Sequence, residues 1–270
     1  MLETIKIQIL EIFNSCRHMT DDQILNHPRD LFHPHMETLN RLAALEIGDQ
    51  EVAALIADKS LKPVIRQIAR LKRIHGLRLE RQRAQAVIDS GSPWEILKGF
   101  IYYPNYLQLA EMESLGADLN RDDRVVFIGS GPLPLSLIAL VNRCAIKGVG
   151  IEKDPLNAEL SRKVLATLAL SAQIEIILGD HFGLPLPYPC RLVMVGADAI
   201  PKEEIFDHLA KTSPRGMKVS YRIYEKGLRR LFDLDHVGNL PRQLKEYRRI
   251  RPQPPVNNTS VFVVKENIHA

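Results

Sequence analysis

The stretch VVFIGSGPLPLSLIAL, residues 125–140, constrains this chain more than any other part of it. Its first half is apolar and rich in β-branched residues, as a buried strand is, and it runs straight into Gly129-Ser130-Gly131. A second apolar run follows, long enough for a helix. Two glycines allow a tight turn and let backbone approach a ligand closely, and the start of the helix offers free N–H donors. The turn is not a full dinucleotide fingerprint. Pro132-Leu133-Pro134 stands where a third glycine belongs and removes N–H groups that a pyrophosphate would use. A ligand with a carboxylate and a ribose suits it better, although a lone Gly-x-Gly also occurs as a plain structural turn.

The residues around this stretch set the fold class. Strand-like runs fall at 124–128, 148–151, 174–178, 192–195, 218–223 and 260–264, with helix-like stretches at 135–144, 155–169 and 202–210. Strands alternating with helices at this pitch imply a mostly parallel sheet with right-handed crossovers. The last run follows a turn-rich segment and can pair antiparallel. Ahead of residue 119 there is no strand-like alternation. Apolar residues recur instead at helical spacing: Ile5, Ile9, Ile12; Leu39, Leu42, Leu45; Val64, Ile68, Leu71. Thr20-Asp21-Asp22 and Ser92-Pro93-Trp94-Glu95 read as helix starts, Ser92 as a cap and Pro93 in the first turn. The expectation is an α/β chain: an all-helical domain over residues 1–118, then a Rossmann-like domain over 119–270.

Two further strand ends carry acids. The second strand, GVGIE, ends at Glu152 with Asp154 just beyond, and the third ends at Gly179-Asp180-His181. A carboxylate at the first place can accept ribose hydroxyls, and one at the second an adenine amino group. Either acid alone could equally be a helix cap or a solvated loop residue. Three such turns at successive strand ends line the crevice where open α/β sheets bind ligands, and S-adenosylmethionine (SAM) is the ligand that fits.

Composition narrows the alternatives. A formal net charge of +4 argues against a general nucleic-acid binder, leaving Arg229-Arg230 and Arg248-Arg249-Ile250-Arg251 as solvated surface. Three cysteines, Cys16, Cys144 and Cys190, lie far apart with no CxxC pair, which disfavours a disulfide framework or zinc site and fits a reduced cytoplasmic protein. The N-terminal segment does not read as a signal peptide, and residues 125–141 are too interrupted to span a membrane. His27, His33 and His35 form a loose cluster whose prolines favour a loop over a metal site, so no metal requirement is expected.

Several segments together resemble the nicotianamine synthases in order and spacing: SPWEILKGFIYYPNY, VVFIGSGPLPL, IEKDPLNAELSRKV, LVMVGADAIPK, YRIY and VNNTSVFVV. The match runs from about residue 75 to about residue 265, and the earlier helical part is similar only in character. The resemblance implies helices capping a SAM domain, with SAM as co-substrate. It also implies transfer of the aminocarboxypropyl arm to an amine, not of the methyl group. Plant and archaeal members build nicotianamine from several SAM molecules. Shorter bacterial relatives make one transfer to histidine, toward opine metallophores such as staphylopine, pseudopaline and yersinopine. Histidine is the preferred acceptor here. Partners are then small molecules, with no nucleic acid or membrane, and a homodimer is left open. A SAM methyltransferase, an RNA-modifying enzyme and an NAD(P) enzyme are the rivals.

The resemblance points to Glu80, in GLRLERQRAQ, as the group that binds and deprotonates the acceptor amine; spacing alone reads it as a solvated helix face beside Arg81 and Arg83. Tyr106 can orient the amine. Tyr102 and Tyr103 can wall the site, though core packing is the alternative. Arg222, flanked by Tyr221 and Tyr224, can hold a substrate carboxylate bidentately. Asn257 and Asn258 can bind an amino-acid group or simply form a turn. The nucleoside falls to Gly129, Ser130, Gly131, Pro132, Leu133, Glu152, Asp154, Gly179, Asp180 and His181.

Overall fold

The computed structural model describes residues 2–26, 33–232, 239–254 and 256–266. The chain divides into two compact units, Met1–Leu79 with Tyr224–His236, and Glu80–Ile223 with Val237–Ala270. The boundary expected at residue 118 lies inside the second unit.

The first unit is helical: α1 (Leu2–Cys16), α2 (Asp21–Asn26), α3 (His33–Ala44), α4 (Asp49–Ala57) and the first part of α5 (Lys62–Ile88). The predicted stripes form its core except for Leu45, which lies past the end of α3 and is exposed. Ile5, Ile9 and Ile12 of α1 are buried with Leu39 and Leu42 of α3 and with Val64, Ile68 and Leu71 of α5. A return segment contributes Leu228 and Leu231 to the same cluster. The start of α2 is a reciprocal cap: Thr20 Oγ1 accepts from the Gln23 amide, and Gln23 Oε1 accepts from the Thr20 amide. Tyr224 belongs to this unit, where Lys72 Nζ donates to its hydroxyl at 3.3 Å.

The second unit holds the end of α5, then α6 (Pro93–Lys98), α7 (Tyr103–Ala117) and a seven-stranded sheet. The strands are β1 (Arg124–Ile128), β2 (Lys147–Glu152), β3 (Ile174–Leu178), β4 (Leu192–Val195), β5 (Lys218–Ile223), β6 (Leu244–Ile250) and β7 (Thr259–Lys265). Crossovers run through α8 (Leu135–Cys144), α9 (Pro155–Thr167) and α10 (Lys202–Thr212). The order is β3-β2-β1-β4-β5-β7-β6. The first five strands are parallel, and β7 runs antiparallel between β5 and β6. Successive connections leave β1 toward β2 and β3, then return to build β4 and β5 on its other side. The loops after β1 and β4 therefore diverge at the topological switch point, where such sheets bind ligands.

Two sequence expectations are corrected here. β6 was not expected, because LKEYRRI lacks apolar alternation; only Leu244 of it is buried, as suits a charged edge strand. Arg248 and Arg249 are thus strand residues. Ser92 precedes α6 as expected, but its side chain makes no capping bond. Ser90 Oγ accepts from the Ser92 amide instead. Where α7 passes over the sheet the fit is close: a Cβ on Gly116 would lie 2.0 Å from Phe262 Cζ.

Candidate functional site

The glycine turn is built as a ligand cradle. Gly129 and Gly131 have φ of 74° and 71°, the left-handed region that side chains disfavour. The Gly129 amide is tied to the Ile151 carbonyl at 2.8 Å, which joins the turn to β2. Glu152, at the end of β2 and only 6% exposed, accepts from the Gly131 amide through Oε2 at 2.9 Å and from the Asp154 amide through Oε1 at 2.9 Å. Each oxygen keeps a lone pair for a further donor. Ser130 is buried and faces inward: its Oγ lies 2.7 Å from where a Cβ on Gly150 would stand. Pro132 and Leu133 are buried too.

The other nucleoside candidates take distinct places. Asp154 caps α9, accepting from the Asn157 amide at 2.9 Å, with Pro155 in the first turn. Arg81 of α5 bonds Asn157 Oδ1 at 2.8 Å and Asp154 Oδ2 at 3.4 Å. Asp154 is therefore a cap and an ion-pair partner, the bland alternative of the sequence reading. After β3, Gly179 donates to the Glu152 carbonyl, and Asp180 Oδ1 accepts from the Phe182 amide at 2.9 Å. His181 is buried against Phe182 and His208, and burial lowers its pKa.

Glu80 lies over the glycine turn. A Cβ on Gly131 would stand 3.0 Å from its Oε2, so only glycine leaves this approach open. Tyr106 of α7 donates its hydroxyl to Glu80 Oε1 at 3.4 Å, a long bond. The Glu80 carboxyl is pushed up to about 8, first by burial and then by the negative charges of Asp198 and Glu152, against the Tyr106 hydrogen bond. Burial and the Glu80 charge likewise raise Tyr106, with Arg222 pulling the other way. Tyr106 therefore stays a hydroxyl donor. Glu80 and Tyr106, far apart in sequence, are brought together as the resemblance implied.

Arg222, near the end of β5, does not wait free for a ligand. Its Nε donates to Glu113 Oε1 of α7 at 3.3 Å and its Nη2 to Ser136 Oγ of α8 at 3.3 Å. The flanking tyrosines go elsewhere. Tyr221 points to the other face of β5 and packs edge-on against Phe206 at 5.1 Å, a core position that pushes its hydroxyl up to about 12. Tyr224 lies in the helical unit. Tyr103 is buried in the first turn of α7, and Tyr102 is exposed with its ring edge-on to Phe100. Asn257 and Asn258 precede β7, with Asn257 exposed. Among the described residues no group of three or more His, Cys, Asp or Glu side chains is placed to hold a metal ion, and His27 lies outside them. Among the described residues no helix is long and apolar enough to cross a membrane.

Two residues escaped the sequence reading. Asp198 follows β4 as Asp180 follows β3, and Glu152 ends β2, so the rule of acids at strand ends would have found it. Glu113 lies inside a helix, and nothing in the sequence marks it.

The sheet order and the acid-flanked glycine turn define the class: a Rossmann-like domain with its glycine turn at the switch point. A Methanococcus maripaludis protein described as an S-adenosyl-L-methionine-dependent methyltransferase shares this fold, with a TM-score of 0.50 over 71% of this chain and 96% of that one at 15% identity. The particular family is narrower. The family model described as nicotianamine synthase protein matches residues 2–178, and the chain belongs to the nicotianamine synthase family. It is 25% identical to the L-histidine 2-aminobutanoyltransferase of Yersinia pestis over 63% of this chain and 62% of that one. It is 31% identical to nicotianamine synthase 3 of Oryza sativa subsp. japonica over 53% of this chain and 46% of that one. These matches thus span only about half to three-fifths of each relative's length. Among solved structures, MtNAS in complex with MTA and tNA has a TM-score of 0.85 at 28% identity, covering 98% of both chains. A Glu-to-Gln mutant of MtNAS was solved with S-adenosylmethionine, with a TM-score of 0.84 at 28% identity, covering 96% of this chain and 97% of that one.

Proposed function

We propose that this protein transfers the 3-amino-3-carboxypropyl group of SAM to the amine of an amino acid, with histidine as acceptor, and releases methylthioadenosine. The observation that carries this reading is the Glu80 carboxyl, pushed up to about 8 and hydrogen-bonded by Tyr106, over the glycine turn of a nicotianamine-synthase-family chain. An amino acid's nitrogen needs such a base whichever carbon of SAM it attacks, because an ammonium has no lone pair. The choice of the γ-carbon over the methyl is supported by the family match.

SAM supplies an activated γ-carbon, whose bond to sulfur breaks as the amine bonds to it, the electron pair leaving with methylthioadenosine. The protein's own groups do the rest. The turn at Gly129 and Gly131 lets the backbone approach the nucleoside. Glu152 accepts from the ribose with the lone pairs its two backbone bonds leave free. Asp180 takes the adenine amino group on the oxygen not used for the Phe182 amide. Tyr106 orients the amine, and Glu80 takes the proton it loses. Arg222 holds an amino-acid carboxylate. The product of a single transfer to histidine suits metal chelation, which supports a role in metallophore biosynthesis.

The test is a mass analysis of products after incubation with SAM, alone and with L-histidine or D-histidine. The reading expects methylthioadenosine together with an aminocarboxypropyl-histidine. Nicotianamine from SAM alone would mark a multi-transfer synthase, and S-adenosylhomocysteine a methyltransferase.

A further inference from the structure

Arg222 is the carboxylate receptor in the reading above, and its own supports identify another residue of the site. Its guanidinium is held on two sides. Nε donates to Glu113 Oε1 at 3.3 Å, and Nη2 donates to Ser136 Oγ at 3.3 Å. Ser260 of β7 donates to the same Glu113 oxygen at 3.3 Å, fixing the carboxylate in turn. Glu113 is 1% exposed, Ser136 2% and Ser260 0%, so the frame is interior. An arginine has five N–H donors in a rigid plane. With Nε and one Nη2 hydrogen committed, the outer edge of the guanidinium, formed by Nη1 and the second Nη2 hydrogen, is left to meet a ligand carboxylate.

The elements that carry this frame are those of the site. Glu113 and Tyr106 lie seven residues apart on α7, two turns along one face. Ser136 is the second residue of α8, which starts directly after the turn Gly129–Pro134. Arg222 is near the carboxyl end of β5, the end of the sheet at which the glycine turn also emerges. As a stability device the pair is poor: among the described residues Glu113 Oε2 is buried with no hydrogen-bond partner, and an apolar pair of similar volume would serve the core as well. What the arrangement supplies is orientation.

We propose that Glu113 is a positioning residue of the transfer site, clamping Arg222 through Nε so that the outer edge of its guanidinium is presented to the carboxylate of an amino-acid moiety. This rests on the transferase reading. The carboxylate can belong to the arm of SAM or to the acceptor, and two ligand pairs separate these sources. SAM and methylthioadenosine differ by the arm that bears the carboxylate. L-histidine and histamine differ by the carboxylate alone.

The experiment compares wild type, Glu113→Gln and Glu113→Asp by calorimetric binding of SAM and methylthioadenosine, and by the KM for L-histidine against inhibition by histamine. Glu113→Asp retains the charge but withdraws it by one methylene, so it keeps a folded protein in hand if Glu113→Gln does not fold. The expected result is a selective loss of about tenfold or more in Glu113→Gln, as for a charge-assisted hydrogen bond. Glu113→Asp should show a smaller loss of the same selectivity. If SAM weakens while methylthioadenosine does not, the carboxylate is the arm's; if L-histidine weakens while histamine does not, it is the acceptor's. Equal losses for both members of each pair, or no loss in a folded variant, would overturn the proposal. A wild-type protein that binds neither SAM nor methylthioadenosine would instead overturn the transferase reading itself.

Discussion

Arg222 of β5 and Glu113 of α7 form a buried ion pair at 3.3 Å, the carboxylate 1% exposed and the guanidinium 10% exposed. Burying two charges costs several kcal/mol per ion, and mutual attraction returns that only in good geometry. Breaking the pair leaves one charge uncompensated. Arg222→Met alone should therefore destabilise the protein by about 3–5 kcal/mol. The double variant Arg222→Met with Glu113→Leu should recover most of that loss. Urea unfolding of the single and double variants checks this. Equal loss in both would mean that the two side chains matter for shape and not for charge.

The glycine turn gives a second expectation. At φ 71°, any side chain at Gly131 is strained by about 1–2 kcal/mol. Its Cβ would also stand 3.0 Å from Glu80 Oε2. Gly131→Val should abolish calorimetric binding of SAM and of methylthioadenosine, while the far-ultraviolet circular dichroism stays that of a folded protein. Retained nucleoside binding would move the ligand away from this turn.

A third concerns packing. Gly116 lets α7 lie on Phe262 with no side chain between them, and a Cβ there would come within 2.0 Å of the ring. Phe262 is fully buried and cannot simply swing away. Gly116→Ala would gain helix propensity on an exposed helix. Here it should lose stability by about 1–3 kcal/mol, the usual cost of overpacking. A thermal melt reads the sign, and the companion change Phe262→Leu should relieve part of the loss.

These residues also show what could be read from the sequence. Segments with one clear period were legible. β1, β3, β4, β5 and α8 fall where the apolar runs put them, because burial leaves its pattern in the chain, continuous in β1, β4 and α8 and alternating in β3. β6 was not legible, since an edge strand of charged residues has no such pattern. Within the site, the strand-end residues were visible because topology alone brings strand ends together. The meeting of Tyr106 with Glu80 was implied only by the family resemblance. The Glu113–Arg222 pair joins residues 109 positions apart, and no local rule links them. Tyr221 shows the reverse failure. Beside Arg222 in sequence, Tyr221 is sent to the core by the strand's alternation, while Tyr224 falls past the strand's end in the first unit.

The most mechanistic expectation concerns Glu80 and pH. Its ordinary value is 4.5, and burial beside Asp198 and Glu152 raises it to about 8. A carboxyl raised in the folded state favours folding while it is protonated. That contribution is full below about 4.5 and is lost as pH rises through about 8. Glu80→Gln should therefore melt like wild type at pH 4 and above wild type at pH 9. The same shift governs binding. At pH 7 the free protein carries a protonated Glu80 and the free acceptor carries an ammonium, but the complex needs only one proton between them. Acceptor binding should release close to one proton near pH 7, and calorimetry in buffers of different ionisation enthalpy measures it. In Glu80→Gln the release tied to the carboxyl should vanish, and the transfer rate should fall by about 10²–10⁴-fold, the usual loss on removing a general base. The kcat/KM of the wild type should rise with pH toward the Glu80 value near 8, since this ratio reports groups of the free enzyme. The variant's residual rate should keep rising with pH as more neutral amine becomes available. SAM binding should survive the substitution, because Gln keeps the side chain's shape over Gly131. A Glu80→Gln protein that turns over normally at pH 7 with no change in proton release would pass the base role to another acid or to water.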